Sequence, residues 1–349
     1  FVQLHPINQN VFLQQSLWYR LANVGDGYTQ SGYQIYGIYQ KTTDDQSNLA
    51  KYFTFNNQTA LSVKGDNIST TNRDIRAEWV GLSADYNGTL MLAPSQKRSG
   101  AAIEFRRALN KYSESRLLRS FWAGWTLSFE ALDYGTGVAA ASGSEEGLLA
   151  AFDNPNLVYG QITASTSSKG LSEARINFGF DFKPGHQADL TIYTYLSIPG
   201  SMRTQTAQYL FEALRGYNHH VGIGFGTHIQ LPLYQSDCGD IFFYLDGDVN
   251  NLFSCKQMRT LDLNDKPWSR FLLLNKADGT SVASIPATQI LTQKVHVKAY
   301  TVGDIALGFR FQYYGLEAEL GYALWGHGTE RLELVDNFAS DYGIAGSTL

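Results

Sequence analysis

Histidines and acidic residues come nearest to forming a metal site in this sequence. His219 and His220 are adjacent, and an acidic run follows at Asp246-x-Asp248-x-Asn250. Side chains one residue apart on a strand point to opposite faces, so the two histidines are not expected to bind one ion. The acidic run has the opening spacing of a calcium loop, but Gln257 occupies the place of the bidentate glutamate. We interpret it as alternating polar residues on one strand face and expect no metal.

The two cysteines flank a predicted strand at 241–250. Cys238 precedes this strand and Cys255 follows it. Extended chain of that length would separate the thiols by about 40 Å, so we expect two unpaired thiols. A single bridge through a looped-back tail stays open.

Enzyme motifs are missing from the sequence. It contains no nucleophile elbow, no zinc-protease helix motif, no P-loop and no dinucleotide fingerprint. We therefore expect no enzyme and no cofactor. A membrane-barrel hydrolase stays open as an alternative, because serine and histidine on neighbouring strands need not be close in sequence.

Composition excludes further classes of protein. The 349 residues include 27 basic and 32 acidic ones, which give no basic patch for nucleic acid. They also include 6 Trp, 21 Tyr and 20 Phe, far too many aromatic residues for a disordered chain. Charged residues make up only 17% of the chain. Since no run of about 18 apolar residues occurs, no transmembrane helix is expected.

Strand-like alternation dominates the sequence. From Asp304 to Tyr313 the odd positions are apolar and the even positions are small or polar, and the pattern resumes from Leu316 to Leu324 after a turn. Similar alternation at 176–198 and 221–249 predicts two more antiparallel hairpins. Weaker strand candidates include 73–86, 101–109 and 294–302. Short helices are predicted at 144–152 and 203–215, each within a loop or turn.

An apolar face opposite a polar one suits either a soluble sheet or a membrane barrel. Three features favour the membrane. Glycines recur on the polar face, as at Gly222, Gly224 and Gly226, and the low charge is confined to one face or to turns. Tyr and Trp also lie near the predicted strand ends, where they suit a bilayer interface. These residues include Trp18, Tyr19, Tyr28, Trp122, Tyr193, Tyr195, Tyr313, Tyr322 and Trp325.

In the hairpins 304–325 and 175–198 and in the strand 220–233, the chain resembles bacterial outer-membrane β-barrel proteins of the porin type. The pattern covers about two-thirds of the chain. It predicts an all-β fold: a single antiparallel transmembrane β-barrel domain over 1–349 with about 12–16 strands. Residues 1–60 are a candidate contact or plug segment. The chain stops at Gly346-Ser347-Thr348-Leu349 rather than at the usual aromatic residue, so either final strands are missing or the closure differs.

The resemblance implies an outer-membrane channel for passive diffusion of small polar solutes. Its partners would be the lipid bilayer, the solutes and further copies of the chain in a homotrimer. Alternation assigns the following residues to the pore lining: Arg76, Glu78, Glu104, Arg106, Arg175, Asp181, Asp189, His220, His228, Asp246, Asp248, Lys298, Arg310, Glu317 and Glu319. Two alternatives stay open, a structural or surface-array barrel with a plugged lumen and a soluble all-β binding protein.

Overall fold

The computed structural model describes residues 31–42, 50, 54–109, 120–142, 145–162, 165–182, 188–200, 206–276 and 284–345. Within these residues the chain is mostly antiparallel β-sheet, and its largest feature is a curled sheet that forms a half-barrel. The predicted all-β, antiparallel class is therefore confirmed. Most of the candidate plug segment 1–60 lies outside the described residues.

In chain order the strands are β1 (Ser31–Lys41), β2 (Ala60–Lys64), β3 (Ile75–Arg76), β4 (Asn87–Leu92), β5 (Ser95–Ala108), β6 (Phe121–Gly135), β7 (Val138–Ser142), β8 (Thr166–Phe182), β9 (Asp189–Pro199), β10 (Gly222–Ser236), β11 (Gly239–Leu252), β12 (Cys255–Thr260), β13 (Leu273–Lys276), β14 (Ile285–Pro286), β15 (Thr292–Lys298), β16 (Tyr300–Tyr313), β17 (Leu316–His327), β18 (Arg331–Leu334) and β19 (Tyr342–Ile344). The helices are α1 (Glu145–Phe152) and α2 (Thr288–Leu291). Turns of 3₁₀ helix occur at Phe55–Asn57, Ala77–Val80 and Ser269–Phe271.

Nine strands form the curled sheet in the order β1-β5-β6-β8-β9-β10-β11-β16-β17. Every neighbouring pair is antiparallel. The three predicted hairpins are the pairs β8–β9, β10–β11 and β16–β17, and all three are confirmed. Within the described part of the chain, β1 and β17 are each paired on one side only. Because the directions alternate, these two edge strands run the same way.

The two faces of the curled sheet have opposite chemistry, which follows from the two-residue period of a strand. One face, called the outer face here, carries large apolar side chains that are exposed, such as Ile223 and Phe225 at 50% and 54%. The opposite inner face carries polar side chains that are almost fully buried, such as His228 and Gln230 on the same strand. The sheet therefore buries its polar side and exposes its apolar side.

Glycines on the inner face make room for aromatic rings of the neighbouring strand. Gly224 and Gly226 of β10 lie opposite Tyr195 and Tyr193 of β9. A Cβ atom on these glycines would approach the tyrosine rings to 1.9 Å and 2.1 Å. Contact that close is impossible, so the large rings fit because the opposite residue has no side chain.

Connections between the strands of the curled sheet differ sharply in length at its two ends. The short connections are residues 109–120, 183–188, 237–238 and 314–315. The long connections, all at the other end, are residues 42–94, 136–165, 200–221 and 253–299. Segment 328–345, which follows β17, lies at this same end.

The described parts of the long connections and of segment 328–345 fold into a cap with its own apolar core. Three small sheets form the cap, in the orders β3-β2-β4-β7, β12-β15-β18 and β14-β13-β19. Buried apolar side chains from all the long connections pack together there, including Leu61, Ile75, Leu90, Leu148, Phe152, Phe211, Trp268 and Phe271. The cap therefore has the apolar interior of an ordinary globular domain, unlike the inner face of the curled sheet.

One of the two predicted helices is confirmed. Helix α1 matches the prediction at 144–152, whereas the helix predicted at 203–215 is wrong for its described residues 206–215. There the backbone bonds to a distant segment instead of to itself: Gly160 N donates to Ala207 O, and Leu210 N donates to Gln161 O. Ala207 also has a φ of 58°, which a right-handed helix does not allow.

Gly224→Ala tests the fit between glycine and tyrosine on the inner face. We expect it to destabilise the protein by about 1–3 kcal/mol, because the new methyl group overpacks the site. The ring of Tyr195 has little freedom to move away, since its hydroxyl donates to Asp248 over 2.6 Å. Unfolding midpoints in urea, followed by tryptophan fluorescence, measure the effect.

The matched control for this variant is Gly247→Ala on β11. A Cβ atom there would meet only Thr227 Cγ2 at 3.6 Å, an ordinary contact. Equal urea midpoints for the two variants would contradict the proposed fit.

Candidate functional site: the inner face of the curled sheet

Most of the predicted pore-lining residues lie on strands of the curled sheet. These are Glu104, Arg106, Arg175, Asp181, Asp189, His228, Asp246, Asp248, Arg310, Glu317 and Glu319. All but Asp181, Glu317 and Glu319 are almost fully buried. The structure thus brings together charges that lie far apart in the sequence.

The other four predicted lining residues lie off the curled sheet. Arg76 ends the short strand β3 and Glu78 lies in a 3₁₀ turn, because the weak alternation at 73–86 does not form a long strand. Lys298 belongs to β15 in the cap, where it pairs with Glu333. His220 precedes β10 and is also part of the cap. For these four positions the alternation predicted the wrong surroundings.

A buried ion network centred on Arg175 occupies the middle of the inner face. Arg175 Nε donates to Glu173 Oε1 over 2.8 Å, and its other nitrogens reach Tyr217 Oη at 3.1 Å and Asp248 Oδ2 at 3.4 Å. The guanidinium also lies 4.2 Å from the ring centre of Tyr195. The Arg175 guanidinium therefore contacts two carboxylates and one aromatic ring face.

Hydroxyl groups complete the network. Tyr195 and Tyr193 donate to the two carboxylate oxygens of Asp248 over 2.6 Å and 3.1 Å. Ser197 Oγ donates to Glu173 Oε1 over 2.6 Å. Since Glu173 and Asp248 are fully buried, these bonds replace the water that the carboxylates lose on folding.

The network spans the inside of the curl. Arg175 lies on β8 and Asp248 on β11, and the strands β9 and β10 separate them in the sheet. Only a strongly curved sheet brings side chains from such distant strands into contact. The glycines Gly224 and Gly226 of β10 leave the space through which they meet.

Further charge pairs line the rest of the inner face. Arg106 of β5 pairs with Asp181 of β8, and Trp122 of the intervening β6 donates to the same carboxylate over 3.1 Å. Towards the other edge, Arg310 donates to Glu319 Oε1 over 2.6 Å and to Gln230 Oε1 over 2.9 Å, and its Nε lies 3.2 Å from Glu317 Oε1. The ion pair Arg98–Glu130 and a hydrogen bond between the ring of His228 and Asp246 also lie on this face.

Sequence reasoning missed several members of these pairs. Arg98 and Glu173 were omitted because β5 and β8 begin earlier than predicted, at Ser95 and Thr166. Both residues keep the parity of the inner-face residues further along their strands, so extending the alternation would have found them. On the N-terminal side of Glu173 the parity changes, because the pairing of β6 with β8 shifts register between Ser128 and Phe129.

Aromatic residues assigned to the bilayer interface divide between the two faces. Trp122, Tyr193 and Tyr195 are buried on the inner face, so their assignment to an interface was wrong. The physical reason is the glycine opposite each ring. Tyr313 and Tyr322 are exposed on the outer face, as expected. Of the others, Trp325 packs beside a cap cluster, and Trp18, Tyr19 and Tyr28 lie outside the described residues.

Cap residues close one end of the inner face. Tyr217 bonds to Arg175, and its neighbour Asn218 bonds to Gln257 of β12 over 3.0 Å. His220 Nδ1 lies 2.8 Å from Phe253 O, and its Nε2 lies 3.5 Å from Cys255 Sγ. Burial lowers the pKa of His220 and raises the pKa of Cys255, so both groups are held in their neutral forms.

The described part of the chain contains neither a metal-binding cluster nor a membrane-spanning helix. No group of three or more metal-ligating side chains is placed there to hold an ion. No helix among these residues has the length and apolar character needed to cross a membrane.

Both cysteines are free thiols, with Cys238 in the β10–β11 turn and Cys255 beyond the other end of β11.

Comparison of the chain with protein-family models and with curated proteins finds no match. The geometry of the two sheet faces is therefore what points to a function.

Arg175→Met tests the central ion network. Because it leaves Glu173 and Asp248 buried without their cation, we expect it to destabilise the protein by about 3–5 kcal/mol. The control is Lys298→Met, which breaks the exposed Lys298–Glu333 pair of the cap and should leave the urea midpoint almost unchanged, because solvent screens an exposed ion pair. Urea unfolding measures both variants, and similar losses would show that the inner-face network has no special role.

Cysteine labelling tests the two ends of β11. Cys238 is exposed, whereas Cys255 is partly buried with a raised pKa. Since the thiolate reacts, maleimide at pH 7.5 should label Cys238 first and Cys255 slowly, and the Cys255 rate should rise with pH. The variants Cys238→Ser and Cys255→Ser assign the two phases. Equal rates in the folded protein would contradict the placement of Cys255.

Proposed function

We propose that this protein is an integral β-barrel of the bacterial outer membrane with a sealed interior, acting as a structural barrel that carries a folded cap. The observation that carries this proposal is the outer face of the curled sheet. Its large apolar side chains are exposed, while the inner face buries ionised ones. A bilayer is the solvent in which that arrangement is stable, because lipid contacts the apolar face and the barrel interior holds the polar one.

The size of the apolar surface supports a membrane over water. Exposed Ile, Leu, Val, Phe and Tyr side chains lie on the outer face of every strand of the curled sheet except β5, whose apolar residues on that face are half-buried. Soluble monomers rarely expose a continuous apolar patch of more than a few hundred Å². In a bilayer, lipid would cover this apolar surface without any protein partner.

Connection lengths support an outer-membrane location. Barrels of that membrane have short turns on the periplasmic side and longer loops on the extracellular side. The turns at 237–238 and 314–315 fit the periplasmic side, and the cap then faces the outside of the cell. Assembly as a homotrimer stays a prediction from the resemblance.

Strand direction constrains how the half-barrel closes. Because β1 and β17 run the same way, antiparallel closure of this sheet would need an odd number of further strands between them. Nine strands plus an odd number give an even total, as bacterial barrels have. A complete barrel of about 12–16 strands satisfies this rule with 12, 14 or 16 strands.

The inner face favours a sealed interior over an open channel. Its charged side chains contact one another across the curl, as Arg175 and Asp248 do, instead of projecting into a water-filled bore. A ring of charges that selects ions in a channel must face the permeating solute. The passive diffusion channel therefore ranks second, supported by the hydrophilic character of the same face.

Leu307→Arg tests membrane insertion. Leu307 lies on the outer face in the middle of β16 and is 42% exposed. Arginine on a lipid-facing site at mid-bilayer should cost about 2–4 kcal/mol, which lowers the fraction of protein that inserts and runs as a compact band on unboiled gels. The control is Leu332→Arg on β18 of the cap, which is 40% exposed and should insert normally.

Two outcomes of this experiment would contradict the membrane proposal. One is release of the wild-type protein by carbonate without detergent, which would indicate a soluble all-β binding protein. The other is normal insertion of both arginine variants. If insertion holds, planar-bilayer recordings separate the two barrel functions: the sealed barrel gives no steady conductance, and an ohmic conductance would establish the channel instead.

A further inference from the structure

A polar cavity of about 540 Å³ lies where the start of β8 meets cap residues 206–218. Its walls include Ser167, Gln208, Tyr209, Glu212 and Arg215, together with Asn218. The volume falls within the range of about 300–1,000 Å³ that is usual for small-molecule sites. This cavity is separate from the ion network of the inner face.

Hydrogen bonds across the cavity hold its walls in place. Thr166 Oγ1 donates to Phe211 O over 2.8 Å and accepts from Ala213 N over 2.9 Å. Arg215 Nε donates to Ser168 Oγ over 2.7 Å, and its Nη1 donates to Leu171 O over 2.8 Å. The two sides are therefore joined before any ligand arrives, which lowers the entropy lost on binding.

One buried acceptor in the wall has no partner. Asn218 is only 2% exposed, and its Oδ1 makes no hydrogen bond with any residue that the structure describes. The orientation of its amide is set by Nδ2, which donates to Gln257 Oε1 over 3.0 Å. A buried acceptor without a donor is unfavourable, so a bound molecule that donates a hydrogen bond to Asn218 Oδ1 would be stabilised there.

Three other polar side chains of the wall are accessible to a ligand. Ser167 and Gln208 are exposed and Tyr209 is half-buried, and their side chains make no hydrogen bond within the described ranges. Together with Asn218 they offer hydroxyl and amide groups that both donate and accept, beside one aromatic ring. Glu212 and Arg215 add one charge of each sign, so the wall has no net charge.

We propose that this cavity binds a neutral saccharide. Sugar hydroxyls donate and accept hydrogen bonds equally well, which matches the mixed groups of the wall, and the apolar face of a sugar ring can pack on Tyr209. A phosphate or other anion fits less well, because the carboxylate of Glu212 lines the same cavity as Arg215, which is the only arginine among the lining residues. The site goes beyond the proposed structural role, since in the proposed orientation it would let the cap recognise glycans outside the cell.

Isothermal titration calorimetry on the purified full chain tests this site. The detergent must lack a sugar headgroup, so an amine oxide replaces the usual maltosides. The probes are glucose, N-acetylglucosamine and maltotriose, with inorganic phosphate as the charged comparison. We expect saturable binding of at least one saccharide with one site per chain, and none of phosphate.

Variants locate the binding. Tyr209→Ala should weaken it about tenfold by removing a stacking ring and a hydroxyl, and Gln208→Ala about fivefold by removing one amide. Tyr314→Ala, an exposed tyrosine in the β16–β17 turn at the opposite end, is the matched control and should bind like the wild type. If Tyr209→Ala fails to give a compact unboiled band, Gln208→Ala and Ser167→Ala decide the result.

Three results would overturn the proposal: no saturable binding of any of the three saccharides, equal affinity in the wild type and all folded cavity variants, or binding of phosphate in preference to the saccharides. None of them bears on membrane insertion, which Leu307→Arg tests separately.

Discussion

Ionised side chains that are buried must be neutralised where they lie, and the curled sheet depends on meeting this requirement. Arg175, Glu173 and Asp248 have almost no contact with solvent, so each needs partners supplied by the protein. Those partners come from β8, β9, β11 and the cap. The strand register and the curvature of the sheet therefore have to be right together, since an error in either would leave a buried charge unpaired.

Pairing the buried charges also requires glycine opposite tyrosine on neighbouring strands. Bringing β8 and β11 together requires a tightly curved sheet, and large rings on the inside of such a curve would collide with the side chains opposite. Gly224 and Gly226 remove those side chains and let Tyr193 and Tyr195 lie flat enough to reach Asp248. Glycine thus lowers the intrinsic stability of β10 but permits the hydrogen bonds that stabilise the network.

The cap is stabilised by an apolar core. Its core of Leu61, Phe152, Trp268 and their neighbours is apolar, as in a domain that folds in water. The curled sheet has the reverse arrangement, with its apolar residues outside. Under the proposed membrane insertion, these two arrangements would suit lipid around the curled sheet and water around the cap. Tyr217 links the two parts by its bond to Arg175. The position of the cap is therefore tied to the ion network of the inner face.

The sequence alone determined the class of structure and the chemistry of each strand face. A two-residue period is a local property, so the hairpins at 176–198, 221–249 and 304–324 were predictable without knowledge of the rest of the chain. The same local signal identified Arg175, Asp248 and Arg310 as residues of the polar face. It failed where the pattern is weak, as at 73–86, and where backbone bonding is non-local, as at 206–215.

Only the tertiary structure decided which charges meet and which face is buried. The contact between Arg175 and Asp248 joins residues 73 positions apart across two intervening strands, and curvature rather than local sequence brings them together. Likewise, Tyr193 and Tyr195 became interior residues because the strand that pairs with theirs presents glycine. Pairing, curvature and burial depend on all nine strands at once, whereas alternation depends only on the residues next in the chain.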